Sequence, residues 1–387
     1  MKTNEIKALD KKRIVSTYAR HDMAAASGKG VYCYDTEGKK YIDFTAGIGV
    51  NCFGYCDEGW LKAVTQQLEK LQHSSNLYYT EPQVKVADML AERTGLSKVY
   101  FGNSGAEANE VAIKTARKFG ALKGRTNPNI ITLKQSFHGR TMGAMTATGQ
   151  EKYHEDFGPL PEGFKYCEAG NTEQLRQLVD ENTCAVMMEL IQGEGGVLPL
   201  EKTFVEAAAE LCESREILLI IDEVQTGIGR TGKLFAHEHF GIKPDIVTFA
   251  KGIGAGLPLG GAIFGEKACD VLAPGSHGTT YGGNPVACAG AVEVLERLDE
   301  KFLADVAAKG EYLKAKLLEI PGVKDVSGMG LMLGVSLDAK PAADVVKDAL
   351  EGGLMTLTAK EKVRLLPPLT ITYEEIDEGL DIFKKSV

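Results

Sequence analysis

Short uninterrupted runs of Val, Ile and Leu alternate along this chain with longer segments in which apolar residues recur every three or four positions. The runs Asn129–Leu133, Cys184–Ile191, Ile217–Ile221 and Asp245–Phe249 lack a polar alternation, the pattern of strands covered on both faces. Between and around them lie helical patterns over Trp60–Leu71, Val84–Arg93, Ala106–Phe119 and Thr203–Glu213. In the third of these Ala108, Val111, Ala112, Thr115, Ala116 and Phe119 form one stripe. Strands alternating with helices predict an α/β fold with a mainly parallel sheet. The last hundred or so residues read differently. Helices are expected over Ala287–Leu298 and Phe302–Leu318, with strands in Gly328–Leu337 and Val363–Leu366, as in a smaller α+β unit. The Gly/Pro-rich stretch Pro274–Pro285 marks the change.

The chain has 387 residues, 44% of them apolar, ample for a sizeable core. Lys and Arg number 44 against 53 Asp and Glu, a net charge of −9 that argues against nucleic acid or anionic lipid as a general partner. No segment approaches 18 uninterrupted apolar residues, so no membrane span is expected, and the start lacks an apolar stretch of signal-peptide length. Eight scattered cysteines without a C-x-x-C pair predict free thiols in a reducing, cytoplasmic setting; Cys184 and Cys212 read as small buried hydrophobes. The 44 glycines fall in short clusters, where backbone must turn tightly or approach a ligand.

One such cluster, Gly227–Lys233, matches both G-x-G-x-x-G and G-x-x-x-x-G-K. Leu234 removes the hydroxyl that a magnesium-phosphate loop needs, and no long amphipathic helix follows. A mobile glycine turn is the better reading. His237 and His239, only two apart, read as solvated histidines rather than metal ligands, and no metal site is expected.

Three other segments carry chemistry. Phe101–Asn109 reads as strand, Ser/Gly turn and helix start, which exposes N–H groups to an anion such as a monophosphate, although Asn103 or Ser104 as a plain helix cap is the simpler reading of that segment alone. Asp222 ends a buried strand, where open α/β sheets place ligands; an aspartate tied to local backbone is the plain alternative, but a buried carboxylate needs a partner, and a protonated ring nitrogen would supply one. Lys251 ends another apolar strand and precedes a run of small residues; a partly buried lysine near other positive charge has a depressed pKa and forms Schiff bases, although a solvent-exposed lysine at a strand end is the ordinary reading of that segment alone. Together a phosphate cup, a ring-nitrogen carboxylate and a reactive lysine describe a pyridoxal phosphate site.

Six motifs stand in family order: Asn103–Glu110, Phe137–Thr141, Gln192–Gly196, Asp222–Gly232, Phe249–Gly252 and Thr279–Pro285. From about Tyr32 to the end the chain resembles the class III pyridoxal phosphate aminotransferases. The resemblance implies fold type I: residues 1–47 joining a small domain, a large cofactor-binding domain over 48–285 with a mostly parallel sheet, a small α+β domain over 286–387, and a homodimer. It implies pyridoxal 5'-phosphate as cofactor, with Lys251 as its Schiff-base partner and proton shuttle and Asp222 keeping the pyridine nitrogen protonated. Gly105 and Ala106 would bind phosphate through N–H groups, Phe137 and Val224 would cover the two ring faces, and Gln225 would reach the ring hydroxyl. Glu223 travels with its motif as a further cofactor contact. Thr280 would reach the phosphate of the neighbouring subunit's cofactor.

The same resemblance makes Arg140 the clamp for the amino donor's α-carboxylate, with Thr279 beside it. Arg364 would bind the α-carboxylate of 2-oxoglutarate, and Glu194 would pair with it as a gate. The implied reaction moves the terminal amino group of N2-acetylornithine to 2-oxoglutarate, giving N-acetylglutamate 5-semialdehyde and glutamate in arginine biosynthesis. Succinylornithine, ornithine or 4-aminobutyrate as donor, or an aminomutase acting on glutamate 1-semialdehyde, are the alternatives. A nucleotide-binding protein using Gly227–Lys233 is a third class. Two departures from the family pattern stand out. Glu189-Leu190 replaces the usual Glu-Pro and is expected to continue a strand, and the segment Thr356–Glu361 before Arg364 is unusual.

Overall fold

The computed structural model describes residues 1–387. A seven-stranded sheet forms its centre, in the spatial order Lys98–Gly102, Gly260–Phe264, Ile246–Phe249, Leu218–Asp222, Thr183–Met188, Asn129–Leu133, Phe164–Cys167. All these strands run parallel except Gly260–Phe264, which is antiparallel to both of its neighbours. The uninterrupted apolar runs have a simple cause. Leu218 and Ile220 face the layer built on helix Gly105–Leu122, with Val111, Ala112 and Ala116. Leu219 and Ile221 face the opposite layer, with Phe204, Val205 and Ala208 of helix Lys202–Ser214. Successive side chains point to opposite faces, so a strand covered on both must be apolar at every position.

Helix Gly105–Leu122 starts at Ser104, whose hydroxyl accepts from the Glu107 N–H at 3.2 Å. Helix Pro285–Arg297 starts at Asn284, whose side chain accepts from Val286 and Ala287. It packs against helices Glu58–Lys70 and Glu81–Thr94. Gly290 is required at that contact, since a Cβ there would lie 2.6 Å from Trp60 Nε1.

Two smaller sheets flank the centre. Val323–Met329, Met332–Leu337, Lys362–Leu365 and Leu357–Ala359 form an antiparallel sheet in that order. The unusual segment before Arg364 is therefore the edge strand that pairs with it, Leu357 opposite Arg364. Ala25–Lys29, Tyr32–Asp35 and Lys40–Asp43 form another, closed by Leu354–Met355 running parallel to Lys40–Asp43. Chain from both ends meets in that sheet.

Four expectations are corrected. The run Cys184–Ile191 is not one strand: it ends at Met188, and Glu189-Leu190 bends away before the short strand Ile191–Gln192. The Glu189 carboxylate draws the chain round by accepting from the N–H groups of Phe137 at 2.9 Å and Gly193 at 3.2 Å. Gly328–Leu337 splits into a hairpin turning at Gly330, whose φ of +53° suits glycine. The turn Gly227–Lys233 is packed rather than mobile. Arg230 within it is buried and donates to the carbonyls of Leu331 at 2.9 Å and Pro367 at 2.5 Å, joining the central sheet to the C-terminal one. Its would-be phosphate cradle is occupied by Gly330 and Leu331: Leu331 N–H donates to the Arg230 carbonyl at 3.0 Å. Finally, His237 is buried with Nδ1 3.2 Å from Glu223 Oε1, and half-buried His239 lies 3.1 Å from Thr231 Oγ1, so neither is a solvated surface histidine.

All eight cysteines are free, and Cys184 and Cys212 are buried. No helix is long and apolar enough to cross a membrane.

Candidate active site

The parallel strands end on the same side of the central sheet, and the segments that follow five of them enclose a cavity of about 270 Å³. Open α/β sheets place ligands at the carboxyl ends of their strands, where helix N-termini and strand-end side chains converge. Lys98–Gly102 leads to the N-terminus of helix Gly105–Leu122. Leu218–Asp222 delivers Asp222, and Ile246–Phe249 delivers Lys251. The cavity is lined by Gly105, Ala106, Phe137, Arg140, Asp222, Val224, Gln225 and Lys251, together with Asn109, His138, Gly139 and Glu189.

At the helix start the N–H groups of Gly105 and Ala106 have no intrahelical partners and carry the positive end of the helix dipole. Gly105 is dictated by space: a Cβ there would meet Val224 Cγ1 at 2.5 Å. Across the cavity Asp222 is buried, and three donors and a histidine nitrogen converge on its carboxylate. Oδ1 accepts from the Val224 N–H at 3.0 Å and the Thr248 hydroxyl at 3.3 Å. Oδ2 accepts from Asn109 Nδ2 at 2.8 Å and lies 2.7 Å from His138 Nδ1. A buried carboxylate so placed is the group that would pair with a protonated ring nitrogen. Asn109 is itself held through the same amide, which donates to the His138 carbonyl at 2.6 Å.

Lys251 opens a short 3-10 turn with φ of +52°, a left-handed conformation that costs an L-residue on the order of 1 kcal/mol or more. Burial and the positive Arg364 push its amine down to about 8, only partly offset by Glu194, Asp222 and Glu189. Burial likewise raises the Glu189 carboxyl to about 7. Phe137 is half-buried and meets Tyr153 edge-on at 5.5 Å between ring centres.

The two expected carboxylate-binding arginines differ sharply in environment. Arg364 is almost wholly buried and salt-bridged to Glu194, with Nη1 also donating to Gln225 Oε1 at 3.2 Å. Gln225 thus stands between the cavity and that arginine. Arg140 is exposed, its guanidinium 4.3 Å from the Tyr153 ring centre. Thr279 is outside the cavity lining of its own chain, and its hydroxyl accepts from Asn103 Nδ2 at 3.0 Å. Thr280 is exposed and outside the lining of its own chain's cavity.

Glu223 is engaged elsewhere through its side chain. Its buried carboxylate turns away from the cavity and accepts from the N–H groups of Ala236 at 2.9 Å and His237 at 2.8 Å, besides the Thr226 hydroxyl. It anchors the segment behind the site. Conversely, Asn109, His138 and Glu189 line the cavity although no role for them was read from sequence. Asn109 and His138 fall inside the quoted motifs, but only their meeting at Asp222 exposes their part.

The residues fit pyridoxal phosphate on three counts visible in the structure. The helix start offers unpaired N–H groups with no side chain at Gly105, Asp222 presents a buried carboxylate fixed by its neighbours, and Lys251 is a buried amine of depressed pKa. Buried polar atoms without partners, Asn109 Oδ1 and His138 Nε2, also belong to this shell.

Comparison with known proteins places these features in a family. The class-III aminotransferase family model matches residues 16–387. The acetylornithine aminotransferase of Haemophilus ducreyi is 48% identical over 385 residues, covering 99% of this chain and 98% of that one. Among solved structures, the ornithine aminotransferase of Toxoplasma gondii, reported with partial occupancy of PLP at its active site, superposes with a TM-score of 0.93 at 34% identity, covering 99% of this chain and 94% of that one. The N-acetylornithine aminotransferase of Stenotrophomonas maltophilia K279a does so with a TM-score of 0.85 at 35% identity, covering 98% and 97%.

Proposed function

This chain belongs to the class-III aminotransferases and is a pyridoxal phosphate-dependent enzyme of fold type I; on that premise we propose how its residues work and on what. The donor is N2-acetylornithine, whose terminal amino group passes to 2-oxoglutarate to give N-acetylglutamate 5-semialdehyde and glutamate. The observation that carries this reading is the pair of arginines in opposite states, Arg364 closed by Glu194 and Arg140 open. A donor that reacts through its terminal amine needs one free guanidinium for its distant α-carboxylate. It must also be spared a second guanidinium beside the reacting end. The keto acid, with carboxylates at both ends, needs both. The 48% identity to an acetylornithine aminotransferase over nearly the whole chain supports the donor.

When bound, pyridoxal phosphate supplies an aldehyde to hold the amine and a protonated ring that withdraws electrons from the carbon being deprotonated. The chain does the rest. Gly105 and Ala106 N–H groups hold the phosphate at the helix start, and Phe137 and Val224 confine the ring between them. Asp222, fixed by Val224, Thr248 and Asn109, would accept from the protonated ring nitrogen. Lys251 would be the residue that holds the aldehyde in the resting enzyme, and, once the donor's amine has taken its place there, the freed Nζ would be the group that takes up the donor carbon's proton and gives it back. An amine pushed down to about 8 keeps a useful neutral fraction near neutral pH, as a general base requires. Glu194 neutralises Arg364 during the first half-reaction and swings off it for the α-carboxylate of 2-oxoglutarate.

The working unit in this reading is a homodimer in the cytoplasm, with Thr280 donating to the phosphate bound in the neighbouring subunit. Leu77, Tyr78 and Tyr79 support an interface here: they are 88%, 68% and 98% exposed, and Asn76 bonds their loop to the carbonyls of Thr279 and Gly282. Three such residues together are an apolar surface that a monomer would rarely leave in water. Eight free cysteines fit a reducing compartment.

The test is a half-reaction. Adding N2-acetylornithine to the cofactor-loaded enzyme without keto acid converts the visible absorption band to that of the amine form of the cofactor, and 2-oxoglutarate restores it. An unchanged band with N2-acetylornithine overturns the donor. Mixing Lys251→Ala with Thr280→Ala protein tests the interface, because activity returns only if Thr280 serves the partner's site.

A further inference from the structure

Arg140 has no carboxylate, carbonyl or hydroxyl partner, yet it is not loose. Its guanidinium lies over the ring of Tyr153 at 4.3 Å and more distantly over that of Phe137 at 5.7 Å. A cation over an aromatic face is attracted by the ring's quadrupole while its N–H donors stay free at the edge, which leaves the fork available to a carboxylate. An acidic or carbonyl partner would have oriented Arg140 equally well but would have competed with substrate.

Tyr153 can orient it because Tyr153 is itself fixed. It ends the 3-10 turn Glu151–Tyr153, its N–H donating to the Gln150 carbonyl at 3.1 Å. Gln150 is buried and bonds through Nε2 to the Ser136 carbonyl at 3.0 Å, and the neighbouring His154 Nε2 lies 2.8 Å from the Met145 carbonyl. The turn is thus tied to the segment just before Phe137 and to helix Met142–Ala147. Arg140, by contrast, follows Gly139, whose φ is +137° and which approaches Ala106 so closely that a Cβ there would lie 2.8 Å from the Ala106 Cβ. The backbone of Arg140 is placed by the helix start, but its long side chain would sweep solvent without the ring.

We propose that Tyr153 is the positioning residue of the amino-donor clamp: the face of its ring holds the Arg140 guanidinium ready for the donor's α-carboxylate, and its hydroxyl takes no part. Because the same ring meets Phe137 edge-on, the clamp is set relative to the wall of the cofactor cavity. This rests on the reading of Arg140 as the donor's carboxylate site. Arg364 is held separately by Glu194 and Gln225, and does not depend on Tyr153.

The experiment compares wild type, Tyr153→Phe and Tyr153→Leu in each half-reaction, and by calorimetric binding of N-acetylnorvaline. That molecule is N2-acetylornithine without its reacting amine. An exposed cation–π contact is expected to contribute about two- to fivefold in affinity. Tyr153→Leu therefore raises the KM for N2-acetylornithine and the Kd for N-acetylnorvaline by about that factor, with the maximal rate of the donor half-reaction held within twofold. Tyr153→Phe stays at wild-type values. N-acetylputrescine, the donor without its carboxylate, is used equally well by all three proteins. The proposal is overturned if Tyr153→Leu leaves the donor KM and the N-acetylnorvaline Kd unchanged. It is equally overturned if Tyr153→Phe matches Tyr153→Leu, or if N-acetylputrescine suffers as much as N2-acetylornithine. Failure of the underlying reading looks different, because wild type itself then ignores N2-acetylornithine.

Discussion

Lys251→Met in the cofactor-free protein should stabilise the fold near neutral pH, by an amount that shrinks as pH rises. The folded state holds the amine at about 8, against an ordinary value of 10.5, because burial and Arg364 disfavour the charged form. A difference of about 2.5 pKa units corresponds to about 3 kcal/mol. Below pH 8 both states carry the proton and the folded protein bears the whole penalty. Between 8 and 10.5 the folded amine is neutral while the unfolded one still binds a proton, so the penalty fades with rising pH. By pH 10 it should be about 1 kcal/mol or less. Methionine has a similar length and no charge, so it removes the penalty at every pH. Wild-type stability alone would mislead, because buried Cys52 and Cys288, both raised to about 12, lose stability over the same alkaline window. The difference between variant and wild type cancels those groups. Urea unfolding at one protein concentration, at pH 7 and pH 10, measures it. A gap that stays constant between the two pH values would refute the reasoning, since packing changes alone carry no proton linkage.

Other variants probe the rest of the site. Gly105→Ala puts a methyl group 2.5 Å from Val224 Cγ1; we expect cofactor affinity to fall at least tenfold by titration, with a stability loss of about 1–3 kcal/mol. Glu194→Ala frees Arg364 from its salt bridge, so the apparent affinity for 2-oxoglutarate should rise severalfold while preference for the donor's terminal over its internal end declines. Product analysis with unacetylated ornithine reads the second effect. Arg230→Met removes a buried cation that holds the carbonyls of Leu331 and Pro367, and should lower stability by about 3 kcal/mol without moving either half-reaction KM by more than about twofold. A large KM change with little loss of stability would show that the Gly227–Lys233 turn belongs to the site rather than to the joint between sheets.

The central sheet was legible in the sequence because burial on both faces forces every strand position to be apolar, and that is a local property of Leu218–Ile221 or Asn129–Leu133. Asp222 and Lys251 stood out for the same reason: a charge closing such a run has no apolar explanation. The family resemblance then paired Arg364 with Glu194 and set Arg140 beside the donor, which no spacing in the chain could do. What the sequence could not decide were the directions of side chains and the partners met across long separations. Glu223 adjoins Asp222, yet the extended end of the strand sends its carboxylate to Ala236 and His237 instead of the cavity. The Gly227–Lys233 turn satisfies two phosphate patterns, but Gly330 and Leu331, a hundred residues on, fill its concave side. Asn109 and His138 acquire meaning only through Asp222, and Tyr153 only through Arg140. Hydrophobic burial repeats with the period of the chain and can be read from it. A hydrogen bond or a cation over a ring depends on two particular groups meeting, and only the tertiary fold makes them meet.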